Sequence, residues 1–281
     1  MTEFVPGWYR SLPNNIYHAS EGVSSSILKK FLKQTPAKIY YDKLHDEHKQ
    51  TDAMILGTVT HSLVLEPQHF DRDFFVMPEL KLTTKDGRLE RDRLIANNKN
   101  KTVIKKDIFE TAKKMSEAVL SHPTAAKLLN GCIVEQSIYW DNNGGRLLKC
   151  RPDALKPGSP IIIDLKSTVD ASYSFFSKEI VKRNYHLSAA MYLEGCNDNS
   201  DLKKCLGVDE FKDFIFICVE NTPPFQVAIY YLSDVFLTQG IDLFQYALYL
   251  YAIAFENDWP TYPQDVREIE PPKWQSVAEI L

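Results

Sequence analysis

The chain has 281 residues, 44% of them hydrophobic and 25% charged, an ordinary globular composition with enough length for one large domain or two small ones. Its 33 basic and 37 acidic residues leave a formal charge of −4, so disorder is not expected and net charge gives no argument for a polyanionic partner. Five cysteines with no C-x-x-C pair exclude a disulfide framework and a zinc knuckle, leaving buried reduced thiols as the expectation.

The opening MTEFVPGWYRSLPNN carries an acidic residue, two prolines and no apolar run, unlike a secretory signal. VSSSILKKFLKQTP predicts a helix with serines as caps, Ile27, Leu28, Phe31 and Leu32 as its apolar stripe, and Pro36 as its stop. Lys29, Lys30 and Lys33 fall on its polar side. DAMILGTVTHSLVLEP predicts a buried helix through Met54, Ile55, Val59, Leu63 and Val64, with His61 in its middle and an end near Pro67. Residues 71–105 are polar and weakly periodic, as in an insertion or a mobile arm. A helix from about Asp107 to Leu120 follows, capped by Asp107 and closed by His122-Pro123.

The period then changes. IVEQSIYW alternates, with Val134, Ile138 and Trp140 on one face; Asn142-Asn143-Gly144-Gly145 is a hairpin signal, and LLKCRPDAL returns. Pro157, Gly158 and Pro160 turn the chain into IIIDLKST. Residues 172–195 are helical in pattern, and FKDFIFICVE is apolar enough for a strand covered on both faces. FQVAIYYL is its hairpin partner across Thr222-Pro223-Pro224, and a long helix from about Asp234 to Phe255 precedes a Pro-rich tail with Trp259 and Trp274. The longest apolar stretch, Tyr246 to Phe255, is too short to cross a bilayer, which implies a cytosolic chain. The expected architecture is one α/β domain with helical decoration.

Within it, one strand is chemically odd. Asp164 and Lys166 are two apart and face the same side, while Leu165 turns into the core and leaves its carbonyl available. Asp153 ends the preceding strand, so two carboxylates can meet at one point. Hard oxygen donors suit Mg²⁺ or Mn²⁺, a cation able to polarise a phosphoryl oxygen and lower the pKa of a bound water. Lys166 beside it could position that water, or act as general base if the cation pulls its pKa down. A lattice of structural ion pairs satisfies the same spacing.

RPD followed by an apolar strand ending in DLK resembles the PD-(D/E)-x-K nuclease signature, and the helix, three-strand, helix, strand order resembles that superfamily's core. GTVTHSLVLEP, with Gly57, His61, Glu66 and Pro67, resembles the G-T-x-x-H-x-x-L-L-E-P helix of RecE-like (exodeoxyribonuclease VIII type) exonucleases. KCRPDAL, YHLSAAMY ending at Tyr192, and the opening IYHASEGVSSSILKKFLKQTPAKIYYD resemble further segments of that group. The resemblance implies an α/β fold with a PD-(D/E)XK nuclease-like core, a central mixed sheet flanked by helices. It would form a single exonuclease domain, with an N-terminal helical part about 1–130, a sheet core about 131–232, and a C-terminal helix and tail 233–281.

The same resemblance implies His61, Asp153, Asp164 and the Leu165 carbonyl as metal ligands, with Asp153, Asp164 and Lys166 catalytic. Glu66, Glu135, Ser188 and Tyr192 are candidates for site support or substrate contact; a helix-end structural role serves Glu66 equally well. The family's Q-x-x-x-Y has Ser188 in place of glutamine here, with His186 or Ser188 as candidate substitutes. Lys99, Lys101, Lys105 and Lys106 are candidate DNA contacts, although interleaved Asp86, Glu90 and Asp92 fit a plain solvated surface as well.

The implied activity is Mg²⁺-dependent hydrolysis of one strand of linear duplex DNA, 5′ to 3′, with Mn²⁺ able to substitute. It would leave 3′ tails for a RecT-like single-strand annealing protein. A homo-oligomer, ring-shaped and tetrameric by analogy, in a bacterial or phage-infected cytoplasm, with no membrane partner, completes that expectation. No G-x-x-x-x-G-K-[ST] loop is present, so ATP is not required. Two alternatives stand beside it. A repair or CRISPR-associated nuclease with an iron–sulfur cluster needs a close cysteine trio after the D-x-K strand, which the chain lacks. A catalytically silent DNA-binding or assembly protein on the same fold would be expected to have lost one of His61, Asp153, Asp164 or Lys166.

Overall fold

A computed structural model describes residues 4–45, 50–142 and 145–270. Strand β1 (Gly7–Tyr9) leads into helices α1 (Asn14–Ala19), α2 (Ser25–Phe31) and α3 (Pro36–His45). Pro36 therefore opens a helix rather than only stopping one, because its fixed φ and missing N–H suit a first-turn position. Helix α4 (Asp52–Leu65) is capped by Thr51, whose side chain accepts from Met54 N.

The polar stretch 71–105 is built, not a loose arm. Helix α5 (Phe70–Asp73), strand β2 (Phe74–Val76), helix α6 (Lys85–Asn97) and strand β3 (Thr102–Ile104) follow in order, with β2 and β3 parallel. Phe70, Phe74 and Ile104 bury against Val59 of α4. Helix α6 buries no residue, so it leaves no apolar period to read; its start is fixed instead by Thr84, which accepts from Gly87 N at 3.1 Å. Helix α7 (Lys106–Ser121) has Lys105 at its N-cap; Asp107 sits in the first turn and takes Ile108 N at 2.9 Å. His122 caps a further short helix, α8 (Pro123–Leu129), through Nδ1 and Ala125 N.

Each run expected as one strand of the hairpin is divided. IVEQSIYW splits into β4 (Ile133–Val134) and β5 (Ser137–Asp141), and LLKCRPDAL into β6 (Leu147–Cys150) and β7 (Ala154–Leu155). The register is unbroken across the division, since Val134 faces Ala154 and Ile138 faces Cys150. The hairpin thus bends without gaining a residue. Glu135 makes the bend with a left-handed φ of 51°, opposite Asp153 and next to the level of Pro152, which has no N–H to give to a ladder. One half, β5 and β6, joins β1 in a three-stranded sheet. The other half joins the main sheet. Asn143 and Gly144 of the expected turn, and Trp274, lie outside the described residues.

The main sheet adds β8 (Ile161–Thr168), β9 (Asp213–Glu220) and β10 (Val227–Tyr231) in the order β10-β9-β8-β7-β4, antiparallel except for the β8/β9 pair. Between β8 and β9 the predicted helix is broken at Asn184, whose φ of 50° separates α9 (Tyr173–Lys182) from α10 (Tyr185–Asp198). Helix α11 (Ser200–Leu206) follows, and α12 (Asp234–Glu256) closes the fold. Trp259 beyond it stacks on Tyr40 with ring centroids 5.1 Å apart. The sheet is covered on both faces. Ile162 packs with Phe176, Leu187 and Phe244, whereas Ile163 and Leu165 pack with Val64, Leu65, Met115 and Val119.

Candidate metal centre

The bend in the hairpin opens a gap in the main sheet. Strand β7 pairs with β8 only at Ala154↔Ile163 and Leu155↔Ile162, so the edge of β8 from Asp164 onward loses its strand partner. Side chains replace it. Asp153 Oδ2 accepts from Leu165 N at 2.7 Å, and His61 Nε2 donates to Leu165 O at 2.7 Å. His61 Nδ1 lies 3.6 Å from the same Asp153 Oδ2. The Asp153 carbonyl also takes Glu135 N at 3.1 Å, so this one aspartate ties the hairpin bend to β8.

His61 reaches the strand because α4 lies close to it. A Cβ on Gly57 would stand 3.3 Å from Ser167 Oγ. Gly57 to His61 is four helical residues, about 6 Å of rise, and Ser167 to Leu165 is two strand residues, about 6.6 Å. Helix and strand spacings match, which sets His61 over Leu165 when Gly57 sits on Ser167.

Donor atoms of His61, Glu135 and Asp153 all lie within 4.8 Å of one another. Burial, then the charge of Asp153, pushes the Glu135 carboxyl up to about 8, with Arg151 opposing. Glu135 reaches the cluster through a backbone bend that no motif announces. Asp164 is not one of these three. Asp164 is buried, and its Oδ2 is in ion-pair contact with the Lys166 ammonium. Burial raises the Asp164 pKa against the pull of Lys166. For Lys166 burial works downward, but Asp164 and Asp153 outweigh it and the ammonium is held more firmly than usual. Lys166 thus keeps its proton beside Asp164, and the depressed base read from the sequence belongs to the cation-bound site.

The His61 imidazole, the Glu135 and Asp153 carboxylates and the Leu165 carbonyl beside them form a donor set that fits a hard divalent cation. The structure sets the remaining candidates further back. Glu66 caps the end of α4, and its Oε1 is 3.1 Å from His69 Nδ1, although its charge still reaches Glu135. Tyr192 packs beside Phe214, with ring centroids 6.2 Å apart. Ser188 lies half-buried on α10; His186 is buried, with Nδ1 3.3 Å from Ile180 O, so it is a packing residue rather than a substitute for glutamine. Lys101 donates to Asp71 O at 2.6 Å, Lys105 pairs with Asp52 at 2.6 Å and Lys106 with Glu79 at 3.0 Å, while Lys99 is exposed. Asp52 is nine residues before His61 on α4, about 13 Å along the helix axis.

Arg151, to which the sequence motifs give no role of its own, anchors the corner. Its guanidinium donates to Ser137 Oγ, Asn14 Oδ1 and Leu12 O and lies 4.3 Å from the Tyr17 ring centroid, tying the N-terminal segment to the RPD bend. The arginine of RPD was the signal for it.

This sheet, with Pro152-Asp153 at its bend and Asp164-Leu165-Lys166 on the next strand, is a PDDEXK nuclease-like fold. The chain belongs to the family of PDDEXK-like domains of unknown function (DUF3799), whose model matches residues 24–267. Comparison with the curated proteins gives no match. Among solved structures, a provisionally named exonuclease from Eubacterium rectale is similar at 15% identity and a TM-score of 0.61, covering 96% of this chain and 98% of its own. A phage-related exonuclease from Haemophilus somnus 129PT is 14% identical over 86% of this chain and 99% of its own, with a TM-score of 0.36, too loose to bear on the fold. Among the described residues no helix is long and apolar enough to cross a membrane.

Proposed function

We propose that the protein is a Mg²⁺-dependent, ATP-independent exonuclease of RecE type that degrades one strand of linear duplex DNA from 5′ to 3′. One observation carries this reading: a gap in a nuclease-like sheet gathers His61, Glu135, Asp153 and the Leu165 carbonyl, with the ion pair of Asp164 and Lys166 on the residues flanking Leu165. His61, Asp153, Glu135, Asp164 and Leu165 O would hold the ion, with Mn²⁺ able to replace Mg²⁺; when bound, the ion supplies Lewis-acid polarisation of the phosphate and an acidified water. The chain's own part is positional. Asp153 and His61 fix both backbone groups of Leu165, which keeps the strand edge rigid. Asp164 holds Lys166 in place, and Lys166, protonated, donates to an oxygen of the scissile phosphate and orients the attacking water.

The name of the Eubacterium rectale relative agrees with an exonuclease. In this reading the chain is a single exonuclease domain in the cytoplasm. It acts on DNA ends as a ring-shaped homo-oligomer, beside a RecT-like annealing protein that takes the 3′ tail. The test is digestion of linear duplex labelled at either end, and of a covalently closed circle, in Mg²⁺ or EDTA without ATP. Loss of the 5′ label first, with the circle intact and EDTA abolishing the reaction, is the expected result. Cutting of the circle removes the exonuclease assignment, and intact linear DNA in both Mg²⁺ and Mn²⁺ removes the nuclease assignment.

A further inference from the structure

A second lysine stands beside Lys166 without an ion-pair partner. Lys29, on α2, is half-buried, and its Nζ lies 5.2 Å from the centroid of the Tyr185 ring. Lys166 Nζ lies 5.3 Å from that same centroid, so two ammoniums share one aromatic ring at the start of α10. Lys166 is neutralised by Asp164. The other basic groups nearby are engaged as well: Lys182 and Arg183 both pair with Glu179, and Lys33 Nζ donates to the Lys182 carbonyl at 2.7 Å. Among the described residues Lys29 has no carboxylate in ion-pair contact and makes no side-chain hydrogen bond.

A half-buried ammonium needs an anion, and a ring face repays only part of its lost hydration. The imbalance shows in its acidity. Burial first, and then Lys166, pulls the Lys29 pKa down to about 7, with Lys33 and Arg183 adding to the effect and Asp164 opposing it. The residue sits on a packed element, since α2 lies against α10 and α12, so its position is not that of a free surface side chain.

We propose that Lys29 binds a backbone phosphate of the nucleic-acid strand, adjacent to the phosphate that Lys166 faces, with Tyr185 positioning both ammoniums. This rests on the nuclease reading above and deepens it by adding a second phosphate subsite on α2. The chemistry suits the residue types. A phosphodiester offers non-bridging oxygens to a charged donor, and an ammonium acts there as a point charge that fixes register without reading bases.

The test measures binding of a short 5′-phosphorylated duplex in EDTA as a function of KCl, for the wild type, Lys29→Met and Lys29→Arg. Lys29→Met keeps the aliphatic stem on Tyr185 and removes the charge; Lys29→Arg keeps the charge. Lys29→Met is expected to weaken binding about ten-fold at low salt and to reduce the slope of log K against log[KCl] by about one, with Lys29→Arg restoring both. In Mg²⁺ the same variant raises KM for linear duplex about ten-fold and changes kcat far less. Thermal melts of each variant separate this from a folding defect. Wild-type affinity and slope in Lys29→Met overturn the subsite, whether or not the protein cuts DNA. Lys29-dependent binding without cutting in Mg²⁺ or Mn²⁺ keeps the subsite and sinks the nuclease reading, and a wild type that binds no duplex sinks both.

Discussion

Glu135 turns the chain between two sheets with a left-handed backbone and keeps its carboxyl protonated up to about pH 8. In the unfolded chain that carboxyl titrates near 4.5. Between those values the native state binds a proton that the unfolded state has released, so the stability of the metal-free protein falls as pH rises through the window, by at most about 1.4 kcal/mol per unit. Urea melts in EDTA at pH 5.5, 6.5 and 7.5 should show that slope in the wild type and lose it in Glu135→Gln. An equal slope in both would assign it to another group. Because a cation needs the ionised carboxylate, Mn²⁺ affinity should rise over the same window. Lys166→Ala should lower kcat about 10² to 10³-fold through loss of one charged donor, measured on linear duplex with the fold checked by circular dichroism. The place of Asp164 and Lys166 on one side of a strand was legible from alternation and that of Asp153 from the end of the strand before it, whereas His61 entered through the resemblance alone. Glu135 and Lys29 were not legible. The place of Glu135 depends on a φ above zero, and Lys29 cannot be told from its neighbour Lys30 until α2 is packed against α10.

Helix approach is set by glycines at two crossings. A Cβ on Gly240 would lie 2.3 Å from the His186 carbonyl oxygen, where α12 crosses α10, and backbone cannot yield as a flexible side chain can. Gly240→Ala should destabilise by about 1 to 3 kcal/mol or more, read from denaturant midpoints. On the other face Gly57→Leu should push α4 off Ser167 and carry His61 away from Leu165, lowering Mn²⁺ affinity about 10- to 100-fold at a smaller cost in stability. Titration of the folded variant measures it, and unchanged affinity would mean that His61 does not depend on that contact. Elements with a buried face, such as α4, β8, β9 and α12, were legible from their periods. Helix α6 was hidden because it buries nothing, and the division of β4 from β5 was hidden because the register continues through the bend. The break at Asn184 had only an asparagine to mark it.

For the whole molecule, the gap between β7 and β8 concentrates buried acid where no strand completes the sheet. A cation bound there should stabilise the native state by mass action, about 2.7 kcal/mol at a hundred-fold excess over Kd. Fold class was legible because motif order and element order agreed, and the bend that creates the gap was not, since it arises from how two sheets share one hairpin. The most direct measurement is calorimetric titration of Mn²⁺ into the wild type, His61→Ala and Asp153→Asn at pH 8, with the fold of each checked by circular dichroism. Saturable binding by the wild type that both folded variants lose is the predicted result. Absence of binding by the wild type, or binding by both variants equal to that of the wild type, would contradict a metal centre at the edge of β8.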